Sequence, residues 1–248
     1  MRIITNADDL GGSPEANQAA FDLMKEGLVT SSTILANGKA SGEACRQSAG
    51  FPRVSFGAHL NVTQFRPLSS ARGLGRLLDG TGTFNGRVRE GGSLWSLRAG
   101  IYEEWCAQIA FLLSHGVAVS HLDSHHHVHT IPALLGVLKA AQKRYAIRRV
   151  RISRNVYESD DAPPHGLLIK KHLFNAVLRH WYRTRTTGAF TSLEGFCENR
   201  ERMARRFESV EIMLHPGAQR SSQEAGLLRS LAESDEAFSH SLISYHDL

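Results

Sequence analysis

Short apolar runs alternate along the chain with longer segments whose apolar residues recur at helical spacing. The runs predict buried strands over residues 2–6, 31–35, 54–60, 117–123, 149–153 and 210–214. The intervening spacing predicts helices over residues 14–26, 41–49, 93–114, 132–144, 166–184, 197–207 and 222–234. Because alternation of strand and helix is typical of parallel βαβ units, the pattern favours an α/β protein.

Two further features of the pattern bear on the architecture. The turn after the first strand lacks the GxGxxG spacing of dinucleotide-binding open sheets, and a chain of 248 residues fits a single barrel. We therefore predict one domain over residues 1–248, a TIM-like (β/α) barrel that is either complete or incomplete. Residues 61–93 contain seven glycines and little periodicity, which predicts a long insertion that acts as a lid over a site.

Composition indicates a folded protein outside the membrane. Hydrophobic residues make up 42% of the chain and charged residues 21%. No apolar run approaches the roughly 18 residues of a membrane span, and the N-terminus turns polar too early for a signal peptide. Cys45, Cys106 and Cys197 form no CxxC pair, which fits a reducing compartment. We expect a soluble, cytoplasmic protein.

Charge is unevenly distributed along the chain, whose formal net charge is +5. Residues 139–206 contain 16 Lys and Arg against 6 Asp and Glu, a balance of +10, and the remainder contains 13 against 18, a balance of −5. The basic segment could meet an anionic substrate, a nucleic acid or a membrane surface, or it could be an ordinary solvated face. Because no zinc-finger, RRM or helix-turn-helix signature accompanies it, a nucleic-acid partner is not favoured.

Residues with metal-binding or acid-base chemistry follow four of the predicted strands. They are Asp8 and Asp9 after the first strand, His59 at the end of the third, the block 121–129 after the fourth, and His215 after the last. The carboxyl ends of parallel strands converge on one face of an α/β fold. We therefore expect these segments to meet in one site.

The block 121–129 holds five of the thirteen histidines in the chain. An extended backbone would place alternate members of the block on one face, namely His121, Asp123, His125, His127 and His129. A lone histidine is usually structural, but this density at a strand end indicates a metal or catalytic site. Imidazoles combined with one carboxylate suit zinc and other first-row divalent ions, and the remaining histidines would support the ligands or contact substrate.

Each of the other candidates also has a structural interpretation. The adjacent carboxylates of Asp8 and Asp9 repel each other unless a cation relieves them, yet acids also stabilise helix N-termini. His215 could be a buried structural residue, although the Pro-Gly turn that follows it would expose its side chain. Arg151 could hold an anionic group or simply face solvent.

Around these candidate residues the chain resembles the YdjC family of carbohydrate deacetylases, which includes chitooligosaccharide and hopanoid-associated deacetylases. The resemblance rests on stretches that occur in family order, at residues 6–11, 27–31, 57–63, 121–129 and 211–217. The histidine-rich block is the most specific of them. Leu10 and Gly12 depart from the usual Phe and Leu, which affects packing beside the acids.

The resemblance implies a metal-dependent hydrolase that removes acetyl groups from N-acetylated sugars. Carried over to this chain, it implies that Asp9, His59 and His125 hold one divalent ion. Asp8 would then take a proton from the attacking water, and His215 would protonate the departing amine.

The resemblance also implies supporting roles around this site. Arg151 would orient Asp8, while Asp123, His127 and His129 would bind substrate or support the ligands. The family is associated with magnesium, whereas the ligand types suit zinc, manganese or cobalt.

Two other functions stay open on the residues alone. The same ligands could serve a metal-dependent phosphoesterase acting on an anionic sugar, or the chain could be a non-catalytic metal-binding protein. The identity of the sugar, whether free, oligomeric or lipid-linked, and the choice between monomer and homo-oligomer are left open.

Overall fold

The computed structural model describes residues 1–70, 72–90, 94–161, 163–218 and 221–248. Its seven strands are β1 (Arg2–Leu10), β2 (Ser31–Ile34), β3 (Ser55–Leu60), β4 (His121–Ser124), β5 (Arg149–Val150), β6 (Ala189–Ser192) and β7 (Ser209–Leu214). All pairings are parallel, in the spatial order β5-β4-β3-β2-β1-β7-β6. The sheet curls into an incomplete α/β barrel with one domain over the chain, which confirms the predicted fold class.

Helices cover the outside of the curled sheet. They are α1 (Pro14–Lys25), α2 (Ser41–Ser48), α3 (Arg98–Ser114), α4 (Leu135–Tyr145), α5 (His165–His180), α6 (Leu193–Arg206), α7 (Ser221–Ser234) and α8 (Glu236–His240). The first seven correspond to predicted helices, but the prediction placed the start of α6 too late. Ser192 caps this helix by accepting a hydrogen bond from the Gly195 N–H, so the helix begins at Leu193.

Four strands differ from the prediction. The first was predicted to end at residue 6, but β1 continues to Leu10, so Asp8 and Asp9 lie within the strand and not after it. Sequence analysis missed β6, whose four residues are too few for a clear pattern and which is defined by its pairing with β7. The predicted strands 117–123 and 149–153 are too long, because only His121–Ser124 and Arg149–Val150 form ladders. The predicted start of α3 at residue 93 lies outside the described residues, and the helix as described begins at Arg98.

The gap in the barrel lies between the edge strands β5 and β6. Backbone hydrogen bonds still cross it, from the Val150 N–H to the Arg185 carbonyl (3.1 Å) and from the Asn155 N–H to the Phe190 carbonyl (3.3 Å). Backbone contacts therefore join the two edges of the sheet across the gap.

The opposite end of the barrel from the predicted site is closed by residues 241–248, here called the closing segment. Ile243 donates its N–H to the Ile3 carbonyl (2.8 Å), which fixes the segment beside β1. Tyr245 is fully buried, and its ring stacks on His121 at a centroid distance of 3.7 Å. His121 in turn lies over Gly57, where a Cβ atom would come within 2.6 Å of the imidazole. His121 therefore belongs to the floor of the barrel.

The predicted insertion 61–93 packs against α3 over much of its length. The buried carboxylate of Glu104 accepts hydrogen bonds from the Leu68 N–H (3.0 Å) and the Ser69 N–H (2.8 Å). Apolar side chains further along the segment join the core, namely Leu74, Leu77, Phe84 and Val88. Residues 71 and 91–93 of the insertion lie outside the described residues. Its role as a lid stays a prediction.

Candidate metal and catalytic site

Asp9, His59 and His125 meet at the carboxyl ends of the strands. Asp9 Oδ1 lies 3.1 Å from His59 Nε2 and 2.7 Å from His125 Nδ1. One ligand atom from each residue can be chosen so that all three lie within 4.8 Å of one another. The structure thus brings together the three residues predicted as ligands.

The backbone at the end of β1 explains how two adjacent carboxylates can serve one site. In a regular strand, the side chains of Asp8 and Asp9 would point to opposite faces. Asp9 instead adopts a left-handed conformation (φ 62°), and the register of β1 against β2 shifts between Ala7 and Leu10. A positive φ is uncommon for a residue other than glycine, so contacts with the surrounding structure must stabilise this backbone conformation of Asp9.

His59 is held between two carboxylates. Its Nδ1 lies 2.7 Å from Asp123 Oδ1, so its Nε2 is the ring nitrogen that faces Asp9. Burial alone would lower the pKa of His59, but Asp123 and Asp9 outweigh it and raise that pKa to about 10. A histidine whose far nitrogen binds a carboxylate is the usual arrangement of a metal ligand, because the carboxylate fixes the ring orientation.

Asp8 is clamped by Arg151. The guanidinium binds both carboxylate oxygens, with Nη1 to Oδ2 at 2.7 Å and Nη2 to Oδ1 at 2.6 Å, and Asn6 Nδ2 donates to Oδ1 at 2.8 Å. Burial would raise the pKa of Asp8, but the charge and hydrogen bonds of Arg151 hold it below its ordinary value. Asp8 is therefore kept ionised and fixed in orientation.

Arg151 is the centre of a larger network inside the barrel. It is fully buried and also contacts Asp123 Oδ2 (2.7 Å) and Glu211 Oε1 (2.8 Å). Burial would lower the pKa of Arg151, but Asp123, Asp8 and Glu211 raise it well above its ordinary value. The three carboxylates compensate the buried positive charge of the guanidinium.

Glu211 connects this network to the floor of the barrel. The Tyr245 hydroxyl donates a 2.5 Å hydrogen bond to Glu211 Oε2. Burial raises the pKa of Glu211 to about 7, although Arg151 and Tyr245 act in the opposite direction. The network therefore runs from the closing segment through Glu211 and Arg151 to Asp8.

The histidine block does not continue β4 as an extended chain, so the predicted common face is wrong beyond Ser124. Residues His125–Thr130 form a 3-10 segment in which His126 (φ 52°) and His127 (φ 55°) are left-handed. The turn sends His125 to Asp9 and separates it from His121 on the barrel floor.

The remaining members of the block have distinct surroundings. His129 is buried and tied to structure, since its Nδ1 lies 2.6 Å from Ser124 Oγ and its Nε2 3.1 Å from the Arg151 carbonyl. His127 packs edge-on against Phe190 at 5.6 Å, and its Nδ1 has no hydrogen-bond partner among the described residues. Burial and Arg151 lower the pKa of His127 to about 3, which keeps the imidazole neutral.

His215 follows β7, and 37% of its side chain is exposed. Its backbone N–H donates to Glu224 Oε2 (2.8 Å), and its Nδ1 lies 4.0 Å from Glu224 Oε1. Burial would lower the pKa of His215, but Glu224 and the charges of Asp8 and Asp9 raise it. The acidic residues around His215 therefore favour its protonated form relative to an isolated histidine.

Sequence analysis missed several residues of this arrangement. Asn6 and Thr33 link the strands, because Thr33 Oγ1 lies 3.0 Å from His59 Nδ1 and 3.0 Å from Asp123 Oδ2. Glu211 carried a detectable signal, as it is the one acid inside an apolar predicted strand. Tyr245 and Glu224 carried none, because their roles depend on contacts with distant segments.

The three ligand side chains suit a divalent ion. One carboxylate and two imidazoles match the donor set of first-row divalent ions and leave coordination positions for water and substrate. His125 Nε2 is buried and has no hydrogen-bond partner in the part of the chain that the structure describes. A carboxylate and a histidine near a metal site are groups that can take part in acid-base hydrolysis.

The chain matches one protein family and several named relatives. The family described as YdjC-like protein matches residues 2–241. A carbohydrate deacetylase from Geobacillus stearothermophilus is 37% identical over 154 residues, which cover 61% of this chain and 60% of that protein. A carbohydrate deacetylase from Vibrio cholerae is 30% identical over 220 residues, which cover 87% of this chain and 78% of that protein.

A third relative has a more specific description. A chitooligosaccharide deacetylase from Salmonella schwarzengrund is 36% identical over 164 residues, which cover 65% of this chain and 63% of that protein. The matches to the Geobacillus and Salmonella proteins thus span less than two thirds of their lengths.

A solved structure has the same fold. A protein from Enterococcus faecalis V583, described as a candidate cellobiose-phosphate cleavage protein, superposes with a TM-score of 0.78 and 24% sequence identity. The superposition covers 99% of this chain and 97% of that one. At this identity the likeness concerns the fold. Among the described helices, none is long and apolar enough to cross a bilayer.

Proposed function

The chain belongs to the YdjC-like family, and from this membership we propose that it is a metal-dependent hydrolase that removes the acetyl group from an N-acetylated sugar. The observation that carries the proposal is the meeting of Asp9, His59 and His125 beside an Asp8 carboxylate fixed by Arg151. Relatives described as carbohydrate deacetylases support the choice of sugar as substrate.

Asp9, His59 and His125 would hold the ion. When bound there, a divalent ion supplies Lewis acidity, which polarises the amide carbonyl and lowers the pKa of a coordinated water. His59 is prepared for this role because Asp123 binds its other nitrogen. The donor types favour zinc, manganese or cobalt as the native ion, and the family association adds magnesium as a candidate.

Asp8 is the proposed general base. Arg151 and Asn6 hold its carboxylate ionised. Oδ1 accepts hydrogen bonds from both of them, whereas Oδ2 accepts from Arg151 Nη1 and retains a lone pair for the proton of the attacking water. Arg151 thus acts as a positioning residue in this proposal. Because the clamp is bidentate, Asp8 is held in one orientation during proton transfer.

His215 is the proposed general acid. Its protonated form is favoured by Glu224 and by the two aspartates, so it can give a proton to the amine nitrogen as the C–N bond breaks. An amine is a poor leaving group without that proton.

Substrate contacts are assigned to the neutral imidazole of His127 and to the insertion 61–93. His127 has an unpartnered ring nitrogen close to the Asp8 and Arg151 pair, a suitable donor or acceptor for a sugar hydroxyl. His126 Nδ1 lies 3.0 Å from Thr63 Oγ1, which connects the histidine block to the start of the insertion.

All three cysteines are free in the structure, and we propose the cytoplasm as the compartment.

The test is acetate release from a panel of N-acetylated mono-, oligo- and lipid-linked sugars. Each of the four metals is added separately to chelator-treated full-length protein. Acetate released with one metal and absent without it is the expected result. The same reactions are assayed for inorganic phosphate with phosphorylated sugars, and phosphate release without acetate release would replace this proposal with a phosphoesterase.

A further inference from the structure

Helix α5 presents apolar side chains to solvent. Nine large hydrophobic side chains are exposed among the described residues, and five of them lie between residues 167 and 181. The exposed fractions of these five are 44% for Leu167, 69% for Ile169, 65% for Leu173, 40% for Val177 and 44% for Trp181. Apolar residues gathered in this way mark an interaction surface more often than scattered ones do.

The exposed residues form a continuous strip on the outer side of the helix. Phe174 and Leu178 are buried against the barrel, so α5 already has an inner apolar face. Ile169, Leu173 and Val177 follow one another at four-residue spacing, which places them in line on the other side. Together with Trp181 they are called the outer strip.

The next helix along the chain, α6, shows that a surface helix of this fold does not require exposed apolar side chains. Its exposed positions include Glu194, Glu198, Glu201 and Arg202, while Phe196 and Met203 face the core. α6 therefore has the one apolar side expected of a surface helix, and α5 has two.

Exposed cations lie on α5 and close to the C-terminal end of the outer strip. Lys170 on α5, Lys143 and Arg144 on α4, and Arg148 just after α4 are exposed. Lys143 Nζ and Arg148 Cζ lie 5.9 Å and 5.5 Å from the centre of the Tyr182 ring, which follows Trp181. These four residues are called the flanking cations.

Negative charge is nearly absent from the same part of the sequence. Residues 124–157 and 162–193 contain no Asp or Glu. The acids between these stretches include Glu158 and Asp161, and Arg154 forms ion pairs with both. The outer strip therefore belongs to a stretch of sequence whose net charge is positive.

The outer strip begins beside the mouth of the barrel. Lys171, in the second turn of α5, forms a hydrogen bond with the Tyr157 hydroxyl. Tyr157 belongs to the segment that leaves β5 at its carboxyl end, where the metal and catalytic site lies. A surface that bound the outer strip would thus lie near the opening of the site.

We propose that the outer strip and the flanking cations dock the protein on an anionic lipid bilayer. The apolar side chains would enter the boundary between headgroups and acyl chains, and the cations would bind lipid phosphates. A second copy of the chain fits this face less well. Two copies meeting symmetrically through α5 would bring both sets of flanking cations together with no carboxylate on α5 to compensate them.

Co-sedimentation with vesicles tests the proposal on the full-length protein. Vesicles of phosphatidylcholine alone are compared with vesicles that also contain phosphatidylglycerol, at low and high salt. The protein is expected to bind the mixed vesicles, to bind the neutral ones weakly, and to dissociate as salt rises. Binding to neither kind of vesicle, or equal binding to both at every salt concentration, would overturn the proposal.

Variants separate the two parts of the surface. Ile169→Gln with Leu173→Gln should abolish vesicle binding, and Lys143→Gln with Arg148→Gln should weaken it about fivefold for each charge removed. Trp95→Gln with Leu113→Gln, which changes exposed apolar residues outside the outer strip, should bind like the unaltered protein. Circular dichroism and hydrolysis of a soluble substrate verify that each variant is folded.

Sedimentation velocity without lipid distinguishes a membrane from a second copy. A monomer that binds mixed vesicles supports the proposal. A dimer that dissociates with Ile169→Gln and Leu173→Gln, together with no vesicle binding by the unaltered protein, would assign the outer strip to self-association.

Discussion

At the scale of single residues, side chains that are close in sequence bind different groups in the candidate site. Asp8 and Asp9 are adjacent, yet Arg151 binds the first and two histidines bind the second. His125 and His127 are two residues apart, but one meets Asp9 and the other packs on Phe190. Asp9, His126 and His127 have left-handed backbone, which produces this separation. In the proposed function, it allows one short stretch to supply both a metal ligand and a substrate contact.

The first prediction concerns the ligands. Asp9→Ala, His59→Ala and His125→Ala should each lose both bound metal and turnover, because each removes one of three protein ligands. Elemental analysis of the purified variants measures the metal. His172→Ala, an exposed histidine on α5, serves as the control and should retain metal. Full metal occupancy in one of the three variants would remove that residue from the ligand set.

The second prediction separates the base from the acid. Asp8→Asn and His215→Ala should retain metal and lose activity on the amide by about 10² to 10⁴-fold. An acetyl ester with a good leaving group needs no proton from the enzyme, so His215→Ala should hydrolyse it nearly as well as the unaltered protein. Asp8→Asn should not, since water must lose a proton with either substrate.

Initial rates on the amide and the activated ester provide the comparison. Equal losses on both substrates for His215→Ala would contradict its role as acid and indicate that it contacts the carbonyl oxygen or positions the sugar.

The third prediction is a shift in pH dependence caused by Glu224. The pKa of His215 is raised, so its acid form persists to higher pH and is lost as pH rises through that pKa. Glu224→Gln removes the nearby negative charge and should lower the pKa. The alkaline limb of kcat/KM should therefore move to lower pH, with the acid limb unchanged. An alkaline limb that stays in place would show that another group titrates there.

Most residues of the candidate metal site could be found from the sequence, because functional side chains collect at the carboxyl ends of parallel strands. Asp9 and His59 lie near the ends of β1 and β3, and His125 follows β4, so their positions along the chain were sufficient to predict that they meet. The interior partners could not be found in this way. Whether Glu211 binds Arg151 or a surface lysine depends on the curvature of the sheet. No short sequence pattern predicts that curvature.

At the scale of elements, α3 fixes the insertion that follows β3. Glu104 binds two N–H groups of the insertion, and Gln108 Nε2 donates to the Asn61 carbonyl at 2.6 Å while its Oε1 accepts from the Asn61 N–H. The periodicity of α3 predicted a core helix, but its polar inner residues gave no indication that they bind loop backbone.

The fourth prediction follows from this attachment. Glu104→Ala removes the acceptor of two partly buried N–H groups and should lower the free energy of unfolding by about 1–3 kcal/mol in total. KM for the sugar should rise while metal content is unchanged, because the insertion moves but the ligands do not. Urea denaturation and steady-state kinetics measure the two effects.

Glu103→Ala is the matched control, because Glu103 is the exposed neighbour on the same helix. It should change stability by no more than about 0.5 kcal/mol. Loss of metal in Glu104→Ala would instead mean that the insertion contributes to the metal site.

At the scale of the whole molecule, the active end and the floor of the barrel are joined through its charged interior. The Tyr245 hydroxyl, Glu211 and Arg151 form a chain of contacts that ends at Asp8, and all four residues are buried. The sequence predicted a barrel with a packed core. It did not predict the ion pairs in this interior, because a charged residue within an apolar strand, such as Glu211, can equally lie at an exposed edge of the sheet.

The fifth prediction tests that connection. Tyr245→Phe keeps the ring stacked on His121 but removes the hydrogen bond to Glu211, and should cost about 1–3 kcal/mol of stability. Urea denaturation measures the loss, and Tyr182→Phe on the half-buried 3-10 turn after α5 is the control. Equal stability of the two variants would show that Glu211 finds another donor.

The sheet order also has a consequence for how the protein is synthesised. β1 leaves the ribosome well before β7, yet β7 is one of its two neighbours, and the Ile3 carbonyl accepts a hydrogen bond from the Ile243 N–H. A growing chain therefore carries β1 with one unpaired edge until β7 has been translated. Contacts of such long sequence separation slow folding, and an unpaired edge can pair with other chains. Chaperones that shield nascent strands should accordingly increase the yield of folded protein.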